Sequence, residues 1–154
     1  MAGRKRNTPK IDMGTLQELL GYHVRRAQLS FFAGFSEACA DLGLSPGLFA
    51  VLEVVFRNPG LTQTAVSKAL GTDRSAMVAA IDKLEAMNLI ERRPSEKDRR
   101  SYALYATEYC QNWYPAAESK VKRHEDLVVA NLSLTEREQL LAILQKLNAS
   151  KVEA

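Results

Sequence analysis

The sequence predicts a mainly α-helical domain that carries a small two-stranded β-hairpin. Three observations support this fold class. Apolar residues recur every three or four positions over most of the chain, a glycine separates two short helical segments near its middle, and an alternating pattern follows directly after them. With 154 residues, 46% of them hydrophobic, the chain is long enough to bury one core. We therefore expect a single domain over residues 1–154.

The first predicted element is a long amphipathic helix from Met13 to Leu42. Its apolar positions follow helical spacing along one face: Leu16, Leu20, Val24, Ala27, Phe31, Phe35, Ala38 and Leu42. Tyr22, Leu29 and Phe32 lie off that face and form a second apolar flank. A second flank needs a second packing partner, so the pattern already predicts self-association. A shorter helix follows, with Ser45 as its cap and the Pro59-Gly60 pair at its end.

Two short helices joined through a glycine are predicted in LTQTAVSKALGTDRSAMVAAIDKLEAMNLIERR. Thr62 can cap the first helix, and Gly71 can end it in a left-handed conformation. Its inward face is expected to hold Ala65, Val66, Ala69 and Leu70. Thr72 or Asp73 caps the second helix, whose expected buried stripe is Met77, Ala80, Ile81, Leu84 and Met87. This arrangement is typical of a helix-turn-helix that binds DNA, although any helical hairpin shows the same spacing.

A basic hairpin comes directly after the second helix. The segment leads through ERRP into the tip PSEKDRR and returns through SYALYAT, where Leu104 and Ala106 alternate with polar positions. Residues 91–105 hold five basic and three acidic residues. A solvated hairpin tip is the simplest interpretation of such charge. A helix-turn-helix followed by a basic ribbon, however, is typical of a winged helix, in which Arg100, held by Asp98, can enter a minor groove.

The stretch GTDRSAMVAAIDKLEAMNLIERRPSEKDRRSYALYAT, above all DRR at 98–100, resembles the multiple-antibiotic-resistance regulator (MarR) family of winged-helix repressors. In that family the first and last helices pair two subunits, and the two wings straddle a palindromic DNA operator. The resemblance therefore implies a winged helix-turn-helix with long terminal dimerisation helices. It divides the chain into a basic tail (1–12), dimerisation helices (13–45 and 107–154) and a winged-helix lobe (46–106). This chain departs from the family pattern at Val78, Ala79, Ala106 and Cys110, so its operator sequence is not predictable.

Several residues are predicted to contact DNA. The buried stripe of the second helix leaves Arg74, Ser75, Val78 and Ala79 facing the major groove, where Arg74 could pair with guanine and Val78 or Ala79 with thymine methyl groups. Phosphate contacts that set the register are expected from Thr62, Gln63 and Lys68. The remaining predicted contacts are Asp73 on the second helix and Lys97, Asp98, Arg99 and Arg100 on the wing.

The charge distribution agrees with a polyanionic partner. The formal net charge is +3, yet residues 1–10 alone carry Arg4, Lys5, Arg6 and Lys10 without an acid. The basic character is thus concentrated in the tail and the hairpin, as expected for localised patches that meet nucleic acid. A disordered leader is the alternative interpretation of the tail.

The last third of the chain supports a dimer by its own pattern. A helix is predicted from Thr107 to about Asn131, with a kink at Pro115. Ser133 and Glu136 have the spacing of a capping box at the start of a final helix. The apolar positions of that helix cover more than one narrow stripe: Leu140, Leu141, Ile143, Leu144 and Leu147. Terminal helices of this character suit an intersubunit bundle with two-fold symmetry.

Enzymatic chemistry is not indicated. The two histidines, His23 and His124, have no neighbouring nucleophile or metal ligand, and His124 in KVKRHED is expected on a solvated helix face. No glycine-rich phosphate loop is present, so no enzyme, cofactor or metal site is predicted. Cys39 and Cys110 stand far apart and are expected to be small buried side chains, which favours a reducing cytoplasm over a redox role. No export signal or membrane span is predicted either, because the most apolar window, LFAVLEVVF, is too short.

The stretch GYHVRRAQLSFF is the predicted effector site. Arg25 and Arg26 interrupt an apolar helix beside Tyr22, His23 and Phe31. Members of the resembled family place an effector cleft between the dimerisation helices and the DNA-binding lobe, and aromatic walls with arginine suit an aromatic acid or an aromatic acyl-CoA. These arginines could instead make intersubunit ion pairs or contact DNA phosphates. The prediction is a homodimeric repressor released by such a ligand; an architectural DNA-binding protein without an effector is the alternative.

Overall fold

The computed structural model describes residues 11–95 and 102–149. Within them the chain is mainly α-helical, as predicted, with a small antiparallel sheet. The helices are α1 (Leu20–Ala38), α2 (Pro46–Arg57), α3 (Gln63–Leu70), α4 (Arg74–Ala86), α5 (Glu108–Val128) and α6 (Leu134–Ala149). The strands are β1 (Leu61–Thr62), β2 (Ile90–Pro94) and β3 (Tyr102–Ala106).

The N-terminal region is not one continuous helix, so the prediction of a helix from Met13 to Leu42 is wrong. A 3₁₀ helix spans Gly14–Glu18, α1 begins only at Leu20, and a second 3₁₀ turn covers Ala40–Leu42. The interruption has a local cause, because Leu19 between the first two segments adopts extended backbone angles, with ψ of 115°. Apolar periodicity alone could not reveal it, since Leu16 and Leu20 keep helical spacing across the break.

The sheet has three strands in the order β1-β3-β2, one more than the predicted ribbon. In β2 and β3, Ile90 pairs with Ala106 and Pro94 with Tyr102, whereas Leu61 of the short β1 pairs with Leu104. A two-residue strand leaves no recognisable periodicity in sequence, and for that reason it was not predicted. Its effect is to join the start of α3 to the base of the hairpin.

The core lies where α2, α4 and the sheet meet. Its side chains that are at most 1% exposed include Leu52, Val55, Val66, Met77, Ile81, Leu84, Leu89, Ile90, Leu104 and, from α5, Tyr114. Burying one such side chain stabilises the fold by roughly 1.5–3 kcal/mol. The predicted stripe of α4 is confirmed at Met77, Ile81 and Leu84, while Ala80 is only half-buried. The expected inward position of Ala69 is wrong, because the short α3 contacts the core along a narrow stripe through Val66.

The C-terminal helices begin where the sequence predicted. The Thr107 hydroxyl caps α5 by accepting from the Cys110 backbone N–H at 3.0 Å, and α5 continues past Pro115 to Val128. The capping box of α6 is confirmed: the Ser133 N–H donates to Glu136 Oε2 at 2.8 Å, and the Glu136 N–H donates to Ser133 Oγ at 3.3 Å. The bond from the Ser133 hydroxyl lowers the pKa of the Glu136 carboxyl.

The two terminal helices leave large apolar side chains exposed. No residue of α6 is buried within the described chain, and Leu134, Leu141, Ile143 and Leu147 are each more than half exposed. On α1, Leu20 and Leu29 are also more than half exposed, and Val24 and Phe32 nearly so. Despite this, none of the described helices combines the length and the apolar character that crossing a bilayer requires.

Candidate nucleic-acid interface and effector cavity

The helix-turn-helix is built from local hydrogen bonds at its caps and turn. The Thr62 hydroxyl caps α3 by accepting from the Ala65 N–H at 3.2 Å, and Gly71 ends it at φ +61°. Within the turn, the Ser67 hydroxyl donates to the Thr72 carbonyl at 2.5 Å. Of the two predicted caps of α4, Asp73 is the one used. These bonds stabilise the turn between α3 and α4.

The predicted outward face of α4 is exposed. Arg74, Ser75, Val78 and Ala79 all lie on it, opposite the buried Met77 and Ile81. The Ser75 hydroxyl, however, donates to Asp73 Oδ1 at 2.6 Å, beside the bond from the Ala76 N–H at 2.9 Å. Both bonds lower the pKa of the Asp73 carboxyl, and the bond from the Ala76 N–H has the larger effect. Asp73 and Ser75 are therefore part of the N-terminal cap of α4. The exposed side chains of Arg74, Val78 and Ala79 take no part in that cap.

A cleft of about 440 Å³ separates the helix-turn-helix from the base of the wing. Thr62, Gln63 and Arg74, all predicted DNA contacts, line it together with Arg92 and Tyr102. The structure thus brings residues of α3, α4 and the sheet to one concave surface. Lys68 is exposed in the last turn of α3 and does not line this cleft.

Arg92 and Arg93 have structural contacts that the sequence did not indicate. Arg92 reaches from β2 to α4, where its guanidinium meets Asp82 Oδ1 at 2.5 Å and also pairs with Glu85. Arg93 pairs with Glu91, and its guanidinium carbon lies 4.5 Å from the centroid of the Tyr105 ring. Arg92 therefore ties the base of the wing to α4. The predicted wing contacts Lys97, Asp98, Arg99 and Arg100, like residues 1–10 of the basic tail, lie outside the described residues.

The predicted effector residues fall into two separate places. Tyr22, His23 and Arg26 form one group near the start of α1: Arg26 Nη1 donates to the Tyr22 hydroxyl at 3.3 Å, and the Tyr22 and His23 rings lie 5.5 Å apart. His23 Nε2 is 2.9 Å from the Gln17 carbonyl, in the preceding 3₁₀ helix. Arg25 is exposed one position before Arg26.

Phe31 lies instead in a cavity of about 240 Å³ between α1, α2 and α5. The cavity is lined by Phe31, Phe32, Phe35, Pro46, Phe49, Val121, His124 and Glu125. Within the described chain Phe31 therefore lies apart from Tyr22 and His23, and a single effector site that includes all three stays a prediction. On a helix, nine residues place Phe31 about 13 Å beyond Tyr22 and on the opposite side.

His124 is buried in this cavity, at 5% exposure, so the expectation of a solvated position is wrong. Its Nε2 lies 3.0 Å from the Phe31 carbonyl. Gly34 makes room for the ring, because a Cβ there would lie 2.6 Å from His124 Cε1. A signal was available in the sequence: Cys110, Tyr114, Ala117, Val121 and His124 follow one another in steps of three and four along α5. The surrounding charges of KVKRHED obscured it.

Comparison with known proteins agrees with this architecture. The sequence model of the MarR family matches residues 42–101, which span α2, the helix-turn-helix and the first strand of the wing. A protein of Thauera aromatica, named for transcriptional regulation of the hcr operon, is 36% identical over 135 residues, covering 87% of this chain and 81% of that protein.

Solved structures extend the likeness to the terminal helices. The transcriptional repressor CouR bound to a 23-mer DNA duplex has a TM-score of 0.86 at 38% identity, covering 91% of this chain and 99% of CouR. CouR bound to p-coumaroyl-CoA has a TM-score of 0.83 at 34% identity, covering 92% and 99% of the two chains. The fold, the family model and relatives above 30% identity lead to one conclusion. This chain belongs to the MarR family of winged-helix, DNA-binding transcriptional regulators, which are not enzymes.

Proposed function

We propose that this protein is a homodimeric repressor that binds a palindromic operator and is released from it by an aromatic acyl-CoA. One observation carries the proposal. CouR, which is similar to this chain over nine-tenths of its length, is known both bound to a DNA duplex and bound to p-coumaroyl-CoA. The described residues of this chain offer a surface suited to each of these ligands.

The exposed apolar side chains of α1 and α6 support the dimer. Leu140, Ile143 and Leu147 follow one another at helical spacing on α6, and the last two are 63% and 56% exposed. A monomer in water would keep this stripe hydrated, whereas a two-fold partner would bury two copies of it. Two recognition helices related by that axis would meet half-sites about 10 bp apart.

Within each half-site, the exposed end of α4 carries the base contacts of the proposal. Arg74 has the fork of donors that matches guanine, and Val78 and Ala79 offer methyl groups to thymine. Thr62, Gln63 and Lys68 would contact phosphates, and the wing tip with Arg100 would enter the adjacent minor groove. Because Arg92 joins β2 to α4, the base of the wing and α4 would be held together on the DNA.

The cavity between α1, α2 and α5 favours an aromatic acyl group as the effector. Its volume of about 240 Å³ is below the usual range for whole ligands, so it can hold an aromatic ring while the CoA portion stays outside. Glu125 at its wall would repel a free carboxylate, which favours the thioester over the acid. Arg25 and Arg26, about 8–9 Å before Phe31 along α1, suit the CoA phosphates.

Release follows from linkage. A ligand that binds the DNA-incompetent dimer more tightly must weaken DNA binding by the same factor by which DNA weakens ligand binding. No direct contact between the acyl-CoA and DNA is needed.

The test begins with operator fragments selected from the parent genome. Fluorescence anisotropy should then show p-coumaroyl-CoA raising the Kd for DNA, whereas the free acid has a smaller effect. Arg26→Ala should weaken the CoA ester's effect by about tenfold and leave DNA binding without ligand unchanged, since a charge-assisted bond contributes roughly 1.5–3 kcal/mol.

Arg25→Ala should have the smaller effect of the two, because Arg25 points about 100° away and Tyr22 orients only Arg26. Arg123→Ala is the matched control, as Arg123 is exposed and lies outside the cavity wall. If no aromatic acid or CoA ester changes the DNA affinity, the ligand-responsive proposal fails and an architectural DNA-binding role takes its place.

A further inference from the structure

His124 stands out in the effector cavity. Its imidazole is buried, since the residue is only 5% exposed. Burying an imidazole costs free energy unless its nitrogens find hydrogen-bond partners. One nitrogen has such a partner, since Nε2 lies 3.0 Å from the Phe31 carbonyl oxygen.

This contact determines the tautomer of the neutral ring. A backbone carbonyl can only accept a hydrogen bond, so Nε2 must carry the proton and donate it. In a neutral imidazole the other nitrogen, Nδ1, is then an acceptor with a free lone pair. Among residues 11–95 and 102–149, none donates a hydrogen bond to Nδ1.

The packing around the ring holds that acceptor in place. The edge of the ring meets Phe35 at a centroid distance of 5.9 Å and an angle of 90°. On the α1 side the ring rests against Gly34, where a Cβ would lie 3.2 Å from Nδ1 and 2.6 Å from Cε1. The helix thus has a glycine at the position where the imidazole needs space.

We propose that His124 Nδ1 accepts a hydrogen bond from a hydroxyl group on the aromatic ring of the effector, and so selects hydroxylated aromatic acyl groups. This inference rests on the proposed function, because it concerns the same cavity. Apart from His124 and the exposed Glu125, the wall is apolar. A ring without a hydroxyl would leave Nδ1 without a hydrogen-bond donor beside a mostly apolar wall, and a methoxy group has no proton to donate.

The wild-type protein with three CoA esters provides the first test. Calorimetry should show p-coumaroyl-CoA binding about 10–100-fold more tightly than cinnamoyl-CoA, which lacks the hydroxyl, since a site built for a hydroxyl discriminates strongly against its absence. The p-methoxycinnamoyl ester should resemble cinnamoyl-CoA or bind more weakly. This comparison needs no variant to fold.

Variants then assign the discrimination to His124. His124→Phe keeps a ring in the wall but removes the acceptor, so the ratio between the p-coumaroyl and cinnamoyl esters should fall to about one. Gly34→Ala should also reduce the ratio, because its methyl group displaces the imidazole. Gly21→Ala is the matched control on α1, since nothing lies within 4 Å of a Cβ there, and it should keep the wild-type ratio.

The possible outcomes separate the two proposals. Equal binding of the three esters to the wild type would overturn the role of His124 and leave the acyl-CoA repressor intact. A wild-type ratio that survives in folded His124→Phe would place the hydroxyl contact elsewhere and also overturn it. If no ester binds or releases DNA, the proposed function itself fails, and His124 has no effector hydroxyl to select.

Discussion

The winged-helix lobe and the terminal helices use apolar residues in opposite ways. In the lobe, Val66, Met77 and Ile81 are completely buried within a single chain. On the terminal helices, Leu20 is 82% exposed and Ile143 is 63% exposed. The lobe therefore completes its core alone, whereas α1 and α6 present apolar surface of the kind that another chain covers. The lobe should therefore be stable within a single chain, whereas the terminal helices should gain stability from a second chain.

The largest expected effect concerns assembly. Ile143→Glu places a charge in the proposed interface twice, once from each subunit, and should shift the protein to monomers at micromolar concentration. Because two linked half-sites bind far more tightly than one, operator affinity should fall by about 100-fold or more. Sedimentation and anisotropy measure the two effects.

Gln145→Glu is the control for this change, as it adds the same charge at an exposed polar position of α6. A monomeric Ile143→Glu protein with full operator affinity would show that the terminal helices are not needed for DNA binding. A variant that stays dimeric would place the interface elsewhere.

The next effect contrasts the two faces of α4. Ile81→Ala removes a fully buried side chain and should lower the free energy of unfolding by about 2–5 kcal/mol. Val78→Ala, on the exposed face, should change it by less than about 0.5 kcal/mol while altering the preferred operator bases. Urea denaturation and operator selection measure these effects. If Val78→Ala destabilised the protein as much as Ile81→Ala, the outward face of α4 would be structural.

A smaller effect is expected at the wing. Arg100→Ala should weaken operator binding by roughly 1–3 kcal/mol with little change in the midpoint of thermal unfolding. Arg92→Ala should behave differently and lower stability as well, because it removes the ion pairs with Asp82 and Glu85. Operator titrations at matched salt and thermal unfolding of both variants measure these effects. An unchanged Kd for Arg100→Ala would mean that the hairpin tip is only a solvated loop.

The smallest expected effect is that the two buried cysteine thiols do not react in the native protein. Burial raises the pKa of the Cys110 thiol to about 11 and also raises that of Cys39, because a thiolate is poorly solvated in the core. Both thiols should therefore stay unreactive toward a disulfide reagent at pH 8 in the native protein and react on unfolding. Since the unfolded thiol loses its proton at lower pH than the folded one, stability should decrease as pH rises from about 9 toward 11. Rapid reaction of the native protein would instead indicate a redox role.

The sequence predicted best where structure is specified by neighbouring residues. Thr62, Asp73, Thr107 and Ser133 cap the helices that follow them, since a cap needs only a side-chain oxygen two or three positions before a backbone N–H. The buried stripe of α4 followed in the same way from helical spacing. The resemblance to the MarR family rested on this local region too, and comparison confirmed it.

Contacts between distant residues were beyond such reasoning. The pairing of Arg92 with Asp82, the third strand at Leu61, and the break before Leu20 each depend on which surfaces meet or on backbone angles that periodicity does not encode. The proposed effector site shows this most clearly. Arg26 and Phe31 are near in sequence, yet only Phe31 lines the cavity, together with Phe49 from α2.

By itself, the sequence determined the helices after α1, their caps and the winged-helix order, because these follow largely from hydrogen bonds and spacing within about one turn of each residue. The same local region carried the resemblance to the family. Only the tertiary structure decided that His124 lies inside, 93 residues along the chain from the Phe31 carbonyl that it meets. Charged neighbours predicted a solvated position for it. Its burial depends instead on Gly34, since the absence of a side chain on α1 creates the space that an imidazole on α5 fills.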